Sequence, residues 1–128
     1  MPEYIDIHSH TFFPDFKNDQ GEIENKALEQ KVWFMNVGTD IHTSEQTVQI
    51  ANKYEKGVYS CIGLHPTHSK EEIFNIEDYR KLAINPKVKA IGECGLDYFT
   101  YGNCYVYISF PIIKTLVCSK IGRAHVWT

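Results

Sequence analysis

Apolar and polar positions sort this 128-residue chain into two kinds of segment that take turns. Four short apolar runs recur, at Tyr4 to Ile7, Val32 to Val37, Val58 to Gly63 and Val88 to Gly92. Their length and β-branched content predict strands. With Ile5, Phe34, Ser60 and Ala90 as rough centres, they are spaced by 29, 26 and 30 residues. That is the ~30-residue pace of a βαβ unit. The intervening segments have helical character. Thr43 to Tyr54 opens on Thr43-x-x-Gln46, a capping-box pattern, and puts Thr47, Ile50, Ala51 and Tyr54 on one face before Gly57 closes it. Ser69-x-x-Glu72 predicts the start of the next helical region, where Ile76, Tyr79 and Ala83 share a face until Asn85-Pro86 stops it. Gly21 to Gln30 is shorter and weakly periodic, and it too is assigned to helix. Strand and helix in strict turn predict a parallel sheet with helices outside it.

After Phe99 the pattern changes. Tyr101 to Cys118 is aromatic and β-branched, contains Pro111 and lacks a helical period. The expected division is an α/β domain over residues 1–99 and an irregular tail over 100–128. The last nine residues, Lys120 to Thr128, read like the translation of a common sequencing-adapter oligonucleotide. The tail is therefore expected to be foreign to the fold that precedes it.

Composition narrows the class. At 43% hydrophobic and 13% aromatic, the chain suits one soluble domain with a real core. The net charge of −3, with no basic block, gives no sign of a nucleic-acid surface, although a metal site can engage phosphates without one. No apolar run approaches the ~20 residues of a membrane helix, and Met1-Pro2-Glu3 is not a signal-peptide start. Cys61, Cys94, Cys104 and Cys118 show no C-x-x-C spacing and read as reduced thiols of a cytoplasmic protein.

Candidate chemistry collects at the ends of the predicted strands. His8 and His10 stand one residue apart where the first strand ends. Side chains at i and i+2 of a strand point the same way, so the two imidazoles can share a metal ion with no bend in the backbone. Their alternative is a pair hydrogen-bonding to loops. Glu93 ends the fourth strand, on the same rim, where a carboxylate can bridge two cations; pairing with a lysine is its alternative. His65, in Gly63-Leu64-His65-Pro66, follows the third strand and suits a hydrogen bond to a phosphate or a metal-bound water, or else organises a turn. Asp97 and Tyr98 lie in the next loop and can orient substrate or only support that loop. Asp40 reads as a loop hydrogen-bond acceptor, His42 and His68 as surface residues without partners, and Cys94 as a packing residue.

With these residues placed, the chain resembles the TatD family of metal-dependent deoxyribonucleases. Four segments carry the likeness: Ile5-Asp6-Ile7-His8-Ser9-His10, Asn36-Val37-Gly38-Thr39-Asp40, Ile62-Gly63-Leu64-His65-Pro66, and Ala90 to Tyr98, which reads Ala-Ile-Gly-Glu-Cys-Gly-Leu-Asp-Tyr. Their order and spacing over residues 3–99 are more specific than any one of them. The resemblance implies a TIM (β/α)8-type barrel, of which this chain holds the N-terminal half. It also implies two divalent metal ions (Mg, Mn or Zn) and DNA, or a small phosphodiester, as substrate. Carried over by motif, His8 and His10 are ligands of one metal, Glu93 the shared carboxylate, and His65 the histidine near the reacting phosphate, with Asp97 as a further catalytic residue. The reaction implied is attack by a metal-activated water. The family pattern then calls for two more histidines and an aspartate. His125 lies near where the first is due, but it follows Gly122-Arg123-Ala124 rather than an apolar strand.

A complete barrel takes ~250 residues. Four strands make about half of one, with an exposed apolar inner face and an unpaired edge on the first strand. The isolated chain is accordingly expected to bind metal weakly and to be inactive. Asp6-x-His8-x-His10-Thr11 also resembles the start of polymerase-and-histidinol-phosphatase-type phosphoesterases, and more loosely of amidohydrolases. A third alternative is a non-catalytic α/β module that binds a partner through its edge. The Gly63 to Pro66 and Gly92 to Asp97 segments favour the TatD reading over the second of these. Source DNA with one continuous frame and independent coverage through codon 99 would overturn the foreign tail.

Overall fold

The computed structural model describes residues 1–68 and 71–94. Four strands, β1 (Tyr4–Ser9), β2 (Val32–Val37), β3 (Val58–Ile62) and β4 (Val88–Ile91), alternate with three helices, α1 (Gln20–Glu29), α2 (Ile41–Asn52) and α3 (Ile76–Ala83). The strands form one parallel sheet in the order β1-β2-β3-β4. The predicted architecture is present: four parallel strands, each pair linked by a helix. The expected tail over 100–128, with Asp97, Tyr98 and His125, lies outside the described residues.

One face of the sheet carries the helices. Phe34 of β2 and Val58 of β3 pack with Ile50 and Ala51 of α2, with Ala27 and Leu28 of α1 against them. A second cluster joins Ile62, Val88 and Leu64 to Val48 of α2 and to Tyr79 and Ala83 of α3. By strand alternation the opposite face carries Ile5, Trp33, Met35 and Tyr59, paired as Ile5 with Trp33 and Met35 with Tyr59. Ile5 is 64% and Ile7 70% exposed there, as an open stretch of barrel wall dictates.

Two helix starts differ from the pattern-based expectation. α2 begins two residues before Thr43. Its cap is Asp40, whose carboxylate accepts from the Thr43 N–H at 2.6 Å while the Asp40 N–H donates to Thr43 Oγ1 at 3.0 Å. Thr43 is thus the third helical residue of the capping box rather than its first. Asp40 is a loop acceptor as expected, with capping as the reason. α3 begins at Ile76, well past Ser69, because Asn75 Oδ1 accepts from the Glu77 N–H and caps it. Glu72 is no N3 residue. Its carboxylate accepts from the Ile41 N–H and the Tyr79 hydroxyl, both at 2.8 Å, and so ties the β3–α3 loop to the start of α2. Asp40→Ala should cost about 1 kcal/mol of stability, the usual loss for a cap. Urea unfolding of the two chains measures it.

Candidate metal centre

The C-terminal ends of the parallel strands form the mouth of the sheet, and three of the predicted residues meet there. His8 Nε2 lies 3.1 Å from His10 Nε2 and 3.1 Å from Glu93 Oε1. One ligand atom from each of His8, His10 and Glu93 lies within 4.8 Å of the others. His65 approaches from β3, with Nε2 3.8 Å from Glu93 Oε2. Glu93 therefore has one oxygen toward the histidine pair and the other toward His65.

The way β1 delivers its histidines differs from expectation. Asp6 pairs with Phe34 but Ser9 with Asn36, so β1 holds one extra residue between those pairs. This is a bulge, and His8 lies within it. The turn is pinned by Asp6, whose carboxylate accepts the His8 N–H at 2.9 Å and the Ser9 hydroxyl at 2.7 Å. Those two bonds, the His8 N–H first, hold the Asp6 pKa below the ordinary carboxylate value. The two imidazoles converge because the backbone bends, not because it stays straight. β4 carries a similar irregularity: Ser60 and Cys61 of β3 pair with Val88 and Ala90, leaving Lys89 as the extra residue. Glu93 follows it through a cis Gly92–Glu93 peptide.

Packing fixes the rest. The His10 ring stacks on Phe13 with centroids 4.6 Å apart and meets the edge of Phe12 at 5.7 Å. Its buried Nδ1 has no hydrogen-bond partner among the described residues, so the aromatic pair does the work that a hydrogen bond does for most ligand histidines. His65 is oriented differently. Its Nδ1 accepts the Thr67 N–H at 3.2 Å and lies 2.6 Å from the Thr67 hydroxyl. In the neutral ring that leaves the hydrogen on Nε2, aimed at the Glu93 side. The His65 N–H is held by the Thr39 carbonyl at 2.7 Å.

The donor set suits a divalent cation. Two nitrogens bound to one ion at ~2.1 Å with tetrahedral or octahedral angles lie roughly 3.0–3.4 Å apart. The observed 3.1 Å falls in that interval. A single N–H on His8 serves one of its two neighbours well, whereas a cation among the three atoms serves all three. The cysteines are not part of this set. Burial pushes the Cys61 thiol up to about 12 and also raises that of Cys94, so both stay neutral. His42 is exposed on α2 itself rather than in a loop before it. His68 differs from expectation by having a partner, Glu71 Oε2 at 3.2 Å from its Nδ1.

A family model for TatD-related DNases matches residues 5–109. The chain belongs to that family. The match to this TatD-family chain runs beyond residue 99, where its motifs end, and stops short of residues 110–128. Curated relatives agree. It is 33% identical to the 3'-5' ssDNA/RNA exonuclease TatD of Erwinia amylovora over 96 residues, which is 73% of this chain and 37% of that protein. The protein of the same name from Salmonella typhimurium is 36% identical over 96 residues, 73% of this chain and 36% of the relative. The putative deoxyribonuclease TATDN1 homolog of Encephalitozoon cuniculi is 38% identical over 77 residues, covering 60% and 27%. The chain thus spans little more than a third of the length of the bacterial relatives it matches. The family is one of metal-dependent, DNase-type hydrolases, which decides against the phosphoesterase and amidohydrolase alternatives. No helix among the described residues is long and apolar enough to cross a membrane.

Some contributors escaped the sequence pattern. Phe12 and Phe13 stand two and three residues after His10, and that closeness in sequence was a usable signal. Asp6 had one as well, since Asp at i with a free N–H at i+2 is a common turn pairing. Gly63 supports Glu93 from the neighbouring strand: a Cβ there would lie 2.5 Å from both the carbon and the oxygen of the Gly92 carbonyl. Gly63→Ala should therefore push β4 outward and cost roughly 1–3 kcal/mol, the usual range for overpacking. Urea unfolding checks the loss.

Proposed function

We propose that this chain serves metal-dependent hydrolysis of phosphodiester bonds in DNA, supplying one wall of the metal centre and a histidine that faces the phosphate. The observation that carries the reading is the convergence of His8, His10 and Glu93 at the mouth of the sheet. His8 and His10 would hold one divalent ion, Mg, Mn or Zn, and Glu93 would be shared with a second. Bound cations supply Lewis-acid activation of water and neutralise charge on phosphoryl oxygens.

The chain's own residues define the rest of the proposal. Glu93 offers Oε1 toward His8 and Oε2 toward His65, so its two oxygens face different neighbours, an arrangement that supports the shared-carboxylate reading. His65 offers an Nε2–H, a donor that can bind a phosphoryl oxygen and orient the scissile group. Thr67 keeps that hydrogen on Nε2 by bonding the other ring nitrogen. Asp97 belongs to the proposal through its motif alone. The relatives named as nucleases support a nucleic-acid substrate, with DNA as the proposed one. A cytoplasmic site of action agrees with the free thiols of Cys61 and Cys94.

The proposal includes a limit on the isolated 128-residue chain. Three ligands hold a first cation, whereas a two-cation centre needs both ions held ~3.5–4 Å apart by a fuller set. Titration with Mn²⁺, followed by loss of the free-ion EPR signal, should show binding that falls about tenfold or more in His10→Ala and Glu93→Gln. Equal binding by the chain and both variants would remove the basis for the assignment. On single-stranded DNA with Mn²⁺, cleavage should not exceed that of His10→Ala. Turnover that disappears in His10→Ala would show that three ligands suffice.

A further inference from the structure

Beneath the metal centre lies a buried carboxyl group that the proposed chemistry does not use. Glu24 of α1 is 1% exposed, the one acidic or basic side chain in the core among the described residues. No lysine, arginine or histidine there pairs with it. Three neutral donors reach it instead: the Thr11 hydroxyl at 2.6 Å, Gln20 Nε2 at 2.9 Å and the Tyr54 hydroxyl at 2.8 Å. Burying a carboxyl group away from a cation is costly, and partners this close are what makes it tolerable.

The first of those donors is informative. Thr11 follows His10 directly. Its hydroxyl donates to Glu24 and accepts from Asn36 Nδ2 at 2.9 Å, while its N–H donates to Asn36 Oδ1 at 2.8 Å. Asn36, fully buried in β2, is the residue that pairs with Ser9 where the β1 bulge ends. The turn that carries His10 is thus bonded on one side to β2 and on the other to α1. Its own backbone adds one bond, Phe13 N–H to His10 O at 3.1 Å. Burial, followed by the bond to Glu24, pushes the Tyr54 phenol up to about 12, so it remains a donor at the far end of the network.

We propose that Glu24 is a positioning residue for the metal centre: acting through Thr11, it holds the turn so that His10 Nε2 stays within ligand distance of His8 and Glu93. This inference rests on the reading of those three residues as cation ligands. Glu24→Gln keeps the shape but puts an amide N–H₂ against a hydroxyl donor. Thr11→Val keeps the volume but loses both hydroxyl bonds, and Thr11→Ser keeps the hydroxyl.

The test is Mn²⁺ titration of the full chain and these variants, with circular dichroism and metal-free thermal unfolding to establish that each is folded. Glu24→Gln and Thr11→Val should weaken Mn²⁺ binding about tenfold, the lower end of the effect of residues that support metal ligands. Thr11→Ser should stay within about twofold of the parent. A purely architectural network gives another result: lower metal-free Tm with unchanged Mn²⁺ affinity in Glu24→Gln or Thr11→Val, which overturns the inference. In that case His10→Ala still weakens binding and the metal reading stands. If the parent chain binds no Mn²⁺, or His10→Ala binds as well as the parent, the reading and the inference fall together. Should Glu24→Gln not fold, the Thr11→Val and Thr11→Ser pair decides alone.

Discussion

Two imidazole nitrogens and a carboxylate oxygen face one another at close range, and their electron pairs repel unless something positive lies between them. Most of the local structure serves to hold them there. The β1 bulge brings His8 and His10 onto one side, Asp6 pins the bend, and Phe12 with Phe13 fixes the outer ring. Across the sheet, Gly63 lets the end of β4 come close enough for Glu93 to reach His8. The core clusters lie on the helix-covered face, so the cost of crowding the donors is met by packing elsewhere in the domain.

The same end of the sheet is built from loops that cross-brace one another. Glu72 leaves the β3–α3 loop to bind the first N–H of α2 and the Tyr79 hydroxyl of α3. Thr39, just ahead of α2, supplies the carbonyl that holds the His65 N–H. Thr11 bonds to β2 and α1 at once. The loops bearing His10 and His65 are therefore each bonded to segments other than the strand that precedes them, which preorganises the mouth.

Much of this was legible in the sequence, for physical reasons. The strands announced themselves because each is a short apolar run bounded by turn residues. The shared rim followed because parallel strands all end on one side. What stayed hidden depends on partners remote in sequence or on ambiguous local chemistry. Thr43-x-x-Gln46 and Asp40-x-x-Thr43 are both plausible caps. The second wins because Asp40 and Thr43 bond each other reciprocally. Ser69-x-x-Glu72 imitates a helix start, yet the Glu72 carboxylate is taken by groups 31 and 7 residues away. The bulge at His8 leaves no periodicity signature, since only Ser9, the last residue of the strand, is paired beyond the inserted one. The Thr11, Glu24 and Asn36 network joins positions 13 and 25 residues apart, a separation no local pattern encodes.

Strand order in the sheet is the same as strand order along the chain. Every pairing therefore needs only one ~30-residue crossover to close, and the sheet can grow from its first strand as synthesis proceeds. The imidazoles take their places once β2 docks beside β1, while the acid reaches them only after β4 is laid down. A nascent product ending before codon 93 would hold both nitrogens and no carboxylate, so the three-group cluster forms only once β4 is in place.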